Sequence, residues 1–477
     1  MAAEGSTVKA SALSDLRAAL ATAVGDQCIS LDPGVGQAHA GDWSEAPRQC
    51  PGLVIFPKTP EQVAAALQVL HQRRQAVVIQ GGLTGLAGGA TPQLGEVALS
   101  LAKLNQIEHL DAVGGTVTVQ AGVTLEQLQT HVEAENWFFP LDLGARGSCQ
   151  LGGNAATNAG GNRVLRFGTM RDLVLGIEVA LADGRLMTML NPLTKNTTGI
   201  DLKHLFIGAE GSLGVITRMV LKLSPQPSST HTALCALDSF ESATKLLKFL
   251  RAALPTLSAF ELMWDDFMDA AVQGLQRSPP FSQVYPLYVL VETLGTSEAN
   301  DLELLERALE RALETELLCD VIVAQSLDEA QRLWAYRESI GEMLAQLKPH
   351  AAFDVGIPMP AMARFVAATR SALQQRFPEQ SHLFFGHIGD GNLHVLSGPY
   401  PSAEAVHQVE CIVYAAASAA GGCISAEHGI GVIKKEFLHL SRSSVEIELM
   451  RNLKHLLDPA QILNSGRVFD AKVASDT

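Results

Sequence analysis

From residue 59 to about 226, short apolar runs alternate with helical stretches and loops dense in glycine. "TPEQVAAALQVLHQRRQ" reads as a helix: Thr59 suits the N-cap, Pro60 the first turn, and Gln62 the reciprocal position of a capping box. "AVVIQ" (76–80) reads as a buried strand that empties into "GGLTGLAGGATP". Strands are expected at "EVALSL" and "TVTVQAG", and a second capped helix at Thr124 with Gln127 in the box position. "IEVALADGRLMTML" predicts a hairpin turning on Asp183-Gly184. "SPQPSST" then reads as a linker.

Beyond it the pattern changes. "THTALCAL", "YPLYVLVET" and "CDVIVAQ" read as strands, separated by helices near 239–253 and at "EANDLELLERALERALE". This alternation predicts a separate α+β unit with helices on one sheet face. The Glu/Arg-rich face of 302–316 reads as solvated. A chain of 477 residues exceeds what one core accommodates. The expected organisation is a lead-in with one helix (1–50), a glycine-loop domain (51–228), an α+β domain (229–425) and a C-terminal segment (426–477).

Composition narrows the class. A net charge of −15 argues against nucleic acid or an anionic membrane surface as partner. The seven cysteines are scattered with no CxxC pair, so no zinc ribbon or iron–sulfur domain is expected. They read as buried thiols of a reducing compartment. With no signal-peptide profile at "MAAEGSTVKASALSDL" and no spanning apolar run, the expectation is a cytoplasmic protein that is not integral to a membrane.

"QGGLTGLAGGA" (80–90) is neither a Walker loop nor a Rossmann fingerprint. Its glycines still let backbone N–H groups turn toward an anion, because no Cβ holds the ligand away. The plain alternative is an Ω-loop. "GSCQLGGNAATNAGGNRVLRFGTMRD" (147–172) adds small polar side chains at Asn154, Thr157, Asn158 and Asn162, and "GAEGSLGVIT" (208–217) adds Glu210. Three such loops in one domain point to an extended dinucleotide lying across them.

"GHIGDGNLHV" (386–395) carries a different chemistry. If Asp390-Gly391 is a two-residue hairpin turn, His387 faces His394 with Cβ atoms about 4.5–5.5 Å apart. Two imidazoles so placed can share a divalent cation, and Glu427 of "SAEHGIGVIK" offers a third, carboxylate ligand suited to Zn²⁺ or Mn²⁺. His428 follows it and could act as a general base. Each also has a bland reading: unrelated histidines near a turn, an exposed acid, a structural His. Arg337, in "LWAYRESIGEML", falls on a helix, where an exposed Arg is the bland reading.

Taken together, "QGGLTGLAGG", "LGGNAATNAGGNRVLRFGTMRDLVLGIEVALADGR" and "GAEGSLGVIT" resemble the FAD-binding domain of the vanillyl-alcohol oxidase (p-cresol methylhydroxylase, PCMH) superfamily. "GHIGDGNLH" and "AEHGIG" narrow the resemblance to its D-2-hydroxy acid dehydrogenase branch, with D-lactate, D-2-hydroxyglutarate and glycolate-oxidase-subunit-D-like enzymes. It covers roughly residues 50 to 470. It implies an α+β fold: a two-part PCMH-type FAD-binding domain, a ferredoxin-like substrate or cap domain, and a C-terminal segment returning to the flavin.

The same resemblance implies a non-covalent FAD. Gln80, Gly81, Gly82, Leu83, Thr84, Gly85, Gly88 and Gly89 would wrap its pyrophosphate. Pro140, Ser148, Gly152, Gly153, Asn154, Thr157, Asn158, Gly160 and Gly161 would line it, with Glu210, Gly214 and Ile216. Asn464 would close over it. Cys149 is the one thiol in these loops, and no linkage through it is expected. The resemblance further implies His387, His394 and Glu427 as metal ligands and His428 as a catalytic base touching substrate. Arg337 would grip the substrate carboxylate bidentately and Asn392 would contact substrate.

One departure bears on substrate. D-2-hydroxyglutarate dehydrogenases carry a Thr and a Lys where this chain has Gly341 and Ala352. Lys348 and His350 lie near in sequence. Unpaired, a buried second carboxylate costs about 2–5 kcal/mol. The expectation is therefore oxidation of D-lactate, or of a D-2-hydroxy acid with an apolar side chain, to the 2-keto acid by hydride transfer to flavin N5. Electrons would pass to an outside acceptor: a quinone, a cytochrome or an electron-transfer flavoprotein. A homodimer is allowed. Rival readings are a D-2-hydroxyglutarate dehydrogenase, an oxidase using O₂, a metal-dependent hydrolase, and a non-catalytic subunit of a larger complex.

Overall fold

Local signals set the first elements. In the computed structural model, which describes residues 2–470, Thr59 accepts the Gln62 N–H at 3.3 Å and opens the helix Pro60–Gln72. The Gln62 side chain closes on the backbone N–H of Lys58 (2.7 Å) rather than of Thr59, so this box is shifted by one residue. At Thr124 both halves form, at 3.3 and 3.1 Å, and start Leu125–Glu133. Val63, Ala66, Leu67 and Leu70 of the first helix are fully buried.

The chain divides into two units. The first takes in residues up to 160, 169–225 and those from 427. It holds a four-stranded sheet in the order Ile29–Ser30, Val54–Ile55, Val97–Ser100, Val77–Gln80. The last three are mutually parallel. It also holds an antiparallel sheet in the order Ile107–Asp111, Thr116–Gln120, Val215–Lys222, Val174–Ala180, Leu186–Met189. One hydrophobic core serves both, from Val77 and Val97 to Val117 and Met219. The Asp183-Gly184 hairpin forms as predicted, pairing Ala180 with Leu186. Its glycine has φ +87°, open only to residues that tolerate the left-handed region.

The first 50 residues do more than lead in. Leu16, Leu20 and Val24 of the helix Ala2–Val24 join this core, and Ile29–Ser30 pairs with Val54–Ile55. His39 then reaches strand Val77–Gln80 through the Gln80 side chain.

The second unit, residues 161–168 and 226–426, is built on one seven-stranded antiparallel sheet. Its order is Asp320–Val323, Ser229–Leu237, Leu287–Gly295, Leu257–Trp264, Ser381–His387, Asn392–Gly398, Ala351–Gly356. Helices on one face only were expected; both faces are covered. Every position of Leu287–Gly295 is buried, which demands cover on each side. On one face Phe385, Met263 and Leu396 pack with Phe267, Tyr336 and Met343 from three helices. On the other, Phe353 meets Tyr414 of Ala403–Ala419, and Trp264 stacks on Phe240 of Phe240–Ala253.

The helix Glu298–Glu314 buries Leu305 and Leu309 and pairs Glu303 with Arg307 on its exposed face, as its charge pattern predicts. All seven cysteines are free thiols. Cys50, Cys319 and Cys411 are exposed, contrary to the expectation that all are buried. No helix among the described residues is long and apolar enough to cross a membrane.

Candidate active site

The hairpin carrying the two histidines is set by its glycines. Strand Ser381–His387 pairs with Asn392–Gly398 so that Phe385, not His387, lies opposite His394. The turn spans four residues, Ile388 to Gly391, instead of the expected two. His387 O accepts from Asp390 N and Ile388 O from Gly391 N, and Gly391 takes φ +87°. A Cβ on Gly386 would come within 2.5 Å of Asn392 O. The slip from the expected register is two residues, and an even slip keeps side chains on the same face. His387 and His394 are therefore diagonal neighbours, their rings edge to face with centroids 5.2 Å apart.

A residue the sequence reading missed organises this face. Glu261 pairs directly with His387 from the adjoining strand Leu257–Trp264 and is 1% exposed. Its Oε1 lies 2.8 Å from His387 Nδ1, and its Oε2 accepts from Arg337 Nε at 2.8 Å. Burial alone pushes this carboxyl upward, but His387 and Arg337 together hold it below the usual carboxylate range. The signal was present: "LSAFELMW" contains a single charged residue, and an acid in a buried strand requires partners.

Arg337 is not the exposed arginine of the bland reading. It lies at the end of Leu327–Glu338, a helix capped by Ser326, and is 4% exposed. Its guanidinium stacks over the Phe385 ring at 4.8 Å. Asn392 is also buried, and neither its Oδ1 nor its Nδ2 has a hydrogen-bond partner within the protein. Native structures leave few such groups unsatisfied, so the pair fits a polar ligand.

Asp354 aligns the third predicted ligand. It stands opposite His394 and is fully buried; its Oδ1 accepts from Ala426 N at 2.6 Å and its Oδ2 from Ser425 Oγ at 3.2 Å. Glu427 is the next residue in the chain, and it, His387 and His394 present ligand atoms all within 4.8 Å of one another. Two imidazoles and a carboxylate make a donor set for a borderline divalent cation.

Beyond His428 the chain is fixed within the first unit. Glu210 accepts the N–H of Ile430 at 2.7 Å and of Gly431 at 2.8 Å, one on each oxygen. A Cβ on Gly429 (φ +79°) would meet the Glu210 carboxyl at 2.9 Å. Desolvation outweighs these two N–H donors and raises the Glu210 carboxyl above its ordinary range.

The glycine loops separate into braces, close approaches and open positions. Gln80 spends its amide on His39 and Ala90, and Asn464 spends its own on Ile79 N and Glu210 O. Asn158 accepts from Arg171 N, and Thr157 donates to Gly153 O. Gly82 lets its loop touch the next: a Cβ there would sit 2.0 Å from Ser148 O. Gly152 and Gly214 are packing glycines, against Ala121 and Val179. Gly88 and Gly89 close on Val432 and Glu210. A Cβ on Gly153, by contrast, would meet nothing within 4 Å. Beside it, Gln150 Oε1 and Asn154 Oδ1 are buried acceptors with no partner. Open backbone next to unsatisfied acceptors fits a large polar cofactor. Leu83 adopts φ +58° within the first loop, while Thr84 and Gly85 are at least partly exposed, as is Gly81. Pro140, Gly160 and Ile216 are buried, Ser148 is exposed, and Gly161 falls in the second unit.

Comparison with known proteins bears on this arrangement. Residues 51–190 match the family model of an FAD binding domain, and residues 226–468 that of the C-terminal domain of FAD linked oxidases. A D-2-hydroxyglutarate dehydrogenase of Xanthomonas citri is 38% identical, covering 93% of this chain and 94% of its own. The mitochondrial D-2-hydroxyglutarate dehydrogenase of Rattus norvegicus is 40% identical, over 93% and 83%. A Schizosaccharomyces pombe protein with the provisional name of a mitochondrial D-lactate dehydrogenase is also 40% identical, over 91% and 85%. Among solved structures, p-cresol methylhydroxylase with substrate bound superposes with a TM-score of 0.77 at 14% identity, covering 96% of this chain and 97% of that one. That likeness shows the fold, and the relatives show the rest: the chain belongs to the FAD-linked oxidases, among their FAD-dependent D-2-hydroxy acid dehydrogenases.

Proposed function

We propose that this dehydrogenase oxidises D-lactate or another D-2-hydroxy acid with a neutral side chain to its 2-keto acid, assisted by a divalent cation. Bound FAD would accept the substrate's hydride, and a Zn²⁺ or Mn²⁺ held by His387, His394 and Glu427 would lower the pKa of the substrate hydroxyl. Arg337 gives its Nε to Glu261 and offers its two terminal nitrogens to the substrate carboxylate. Asn392, with both amide atoms unsatisfied and buried, takes a further substrate oxygen. His428 accepts the hydroxyl proton.

The observation that carries this reading is the clustering of a buried Arg337, an unsatisfied Asn392 and two histidines on one face of a single sheet.

Preference for a monocarboxylate rests on two positions. Ala352 lies on that same face, two residues before Asp354, and offers only a methyl group. Gly341 has open space where a side chain would sit. Neither supplies a partner for a second carboxylate. The relatives named for D-2-hydroxyglutarate favour the alternative substrate. Electrons would leave to an external quinone, cytochrome or electron-transfer flavoprotein, since the cysteines form no cluster motif.

Anaerobic bleaching of the flavin by D- and L-2-hydroxy acids, with and without chelator, tests the reading. Bleaching by D-lactate in preference to D-2-hydroxyglutarate, abolished by chelator and restored by Mn²⁺ or Zn²⁺, is the expected result. Chelator-insensitive reduction would remove the cation from it, and failure of every D-acid would remove the substrate class.

A further inference from the structure

Glu261 holds two residues at once, and they belong to different halves of substrate recognition. An ionised carboxylate only accepts hydrogen bonds, so His387 Nδ1, 2.8 Å away, must carry the proton. In the neutral imidazole the lone pair is then on Nε2, the form a cation requires. The other carboxylate oxygen fixes Arg337 through Nε, also at 2.8 Å. Phe385 completes the framework, with the Arg337 guanidinium 4.8 Å and the His394 ring 5.0 Å from its ring centroid. All are side chains of one sheet face or of the helix packed on it.

We propose that Glu261 is a positioning residue that sets the tautomer of His387 and the aim of Arg337 together, so that one carboxylate fixes the spacing between cation and carboxylate grip. It deepens the functional reading above and rests on it. A 2-hydroxy acid carries its hydroxyl and carboxylate on adjacent carbons. A rigid spacing therefore selects this class over 3-hydroxy acids, whose hydroxyl is one carbon further away. Binding of both ends is coupled through a residue that touches neither.

The test uses the full-length FAD-loaded protein as wild type, Glu261→Gln and Glu261→Asp. Glutamine accepts or donates with near-equal ease, so the Nδ1 proton is no longer enforced. Equilibrium dialysis against Mn²⁺ should show affinity lowered by about 10–100-fold in E261Q, the range for loss of a partner of a ligating histidine. KM for D-lactate should rise in parallel, and selectivity for D-lactate over D-3-hydroxybutyrate should fall, while flavin content stays at the wild-type level. E261D, which keeps the acceptor-only carboxylate, should retain more metal than E261Q. Mn²⁺ affinity in E261Q within threefold of wild type, with KM unchanged, would overturn the proposal. Equal loss of flavin and metal in both variants would reduce Glu261 to a structural role and overturn it as well. A wild-type protein that binds no Mn²⁺ defeats the cation reading itself, which separates that failure from failure of the Glu261 role.

Discussion

Asp354 lies directly across from His394 in the sheet and binds the backbone N–H of Ala426 at 2.6 Å. A fully buried carboxylate thus measures out where the chain stands immediately before Glu427 and His428. Asp354→Asn keeps the volume and loses the charge, replacing a charge-assisted acceptor by a weaker one. We expect kcat to fall by at least tenfold and metal content to drop, with KM for D-lactate changed much less because Arg337 is untouched. Metal analysis of the purified variant beside steady-state kinetics checks this, and an unaltered kcat would contradict it.

Arg337→Lys preserves charge but lacks the Nε–H and the planar fork. Glu261 then loses one of its two partners while remaining buried. Loss of one member of such a pair costs about 2–5 kcal/mol, a fall in kcat/KM on the order of 30-fold or more. Kinetics with D-lactate measures it, and a variant within threefold of wild type would show that Arg337 does not hold the carboxylate.

Position 352 offers a gain-of-function test. The double variant Gly341→Thr, Ala352→Lys places a hydroxyl and an ammonium where the chain has open space and a methyl group. The ratio of kcat/KM for D-2-hydroxyglutarate over D-lactate should rise by about tenfold or more, worth roughly 1.4 kcal/mol. A ratio unmoved in a folded, flavin-loaded variant would mean that distal selectivity lies elsewhere.

Stability in acid should depend on Glu178. Burial pushes its carboxyl upward, yet bonds from Arg218 (2.9 and 2.7 Å), Thr188 and Thr217 (2.9 Å each) bring it below its ordinary value. A depressed pKa in the folded state means stability present above the unfolded value, near 4.5, and lost as pH falls through the folded one. Glu178→Gln should therefore melt lower than wild type at pH 7, by an amount equivalent to about 1–3 kcal/mol. The gap should narrow below that value. Melting curves from pH 7 to 3 decide it: a gap that stays constant with pH would assign the effect to packing.

What could be read in advance followed from short-range rules. The Thr124 box and the Asp183-Gly184 hairpin each depend on a few adjacent residues, and both formed as expected. The histidine hairpin was legible as to face but not register. An Asp-Gly pair fits a four-residue turn as well as a two-residue one, and the observed register needs a glycine at 386, where a Cβ would come within 2.5 Å of Asn392 O. Arg337 and Glu261 lie 76 residues apart in sequence and justify each other only once the sheet exists. The burial of Arg337 cannot be inferred from its neighbours, and "LSAFELMW" shows that Glu261 needs partners without showing which. The same holds for His39, whose contact with Gln80 gave the opening segment a role that composition did not show.

The strand before the first glycine loop is stitched from both directions. His39 grips Gln80, while Val77 N–H donates to Ile462 O and Asn464 binds Ile79. A nascent chain that has not yet emerged as far as Ile462 leaves the outer edge of this strand without its partner. Both sides of this strand are therefore satisfied only in a chain that extends as far as Asn464, 385 residues beyond Ile79.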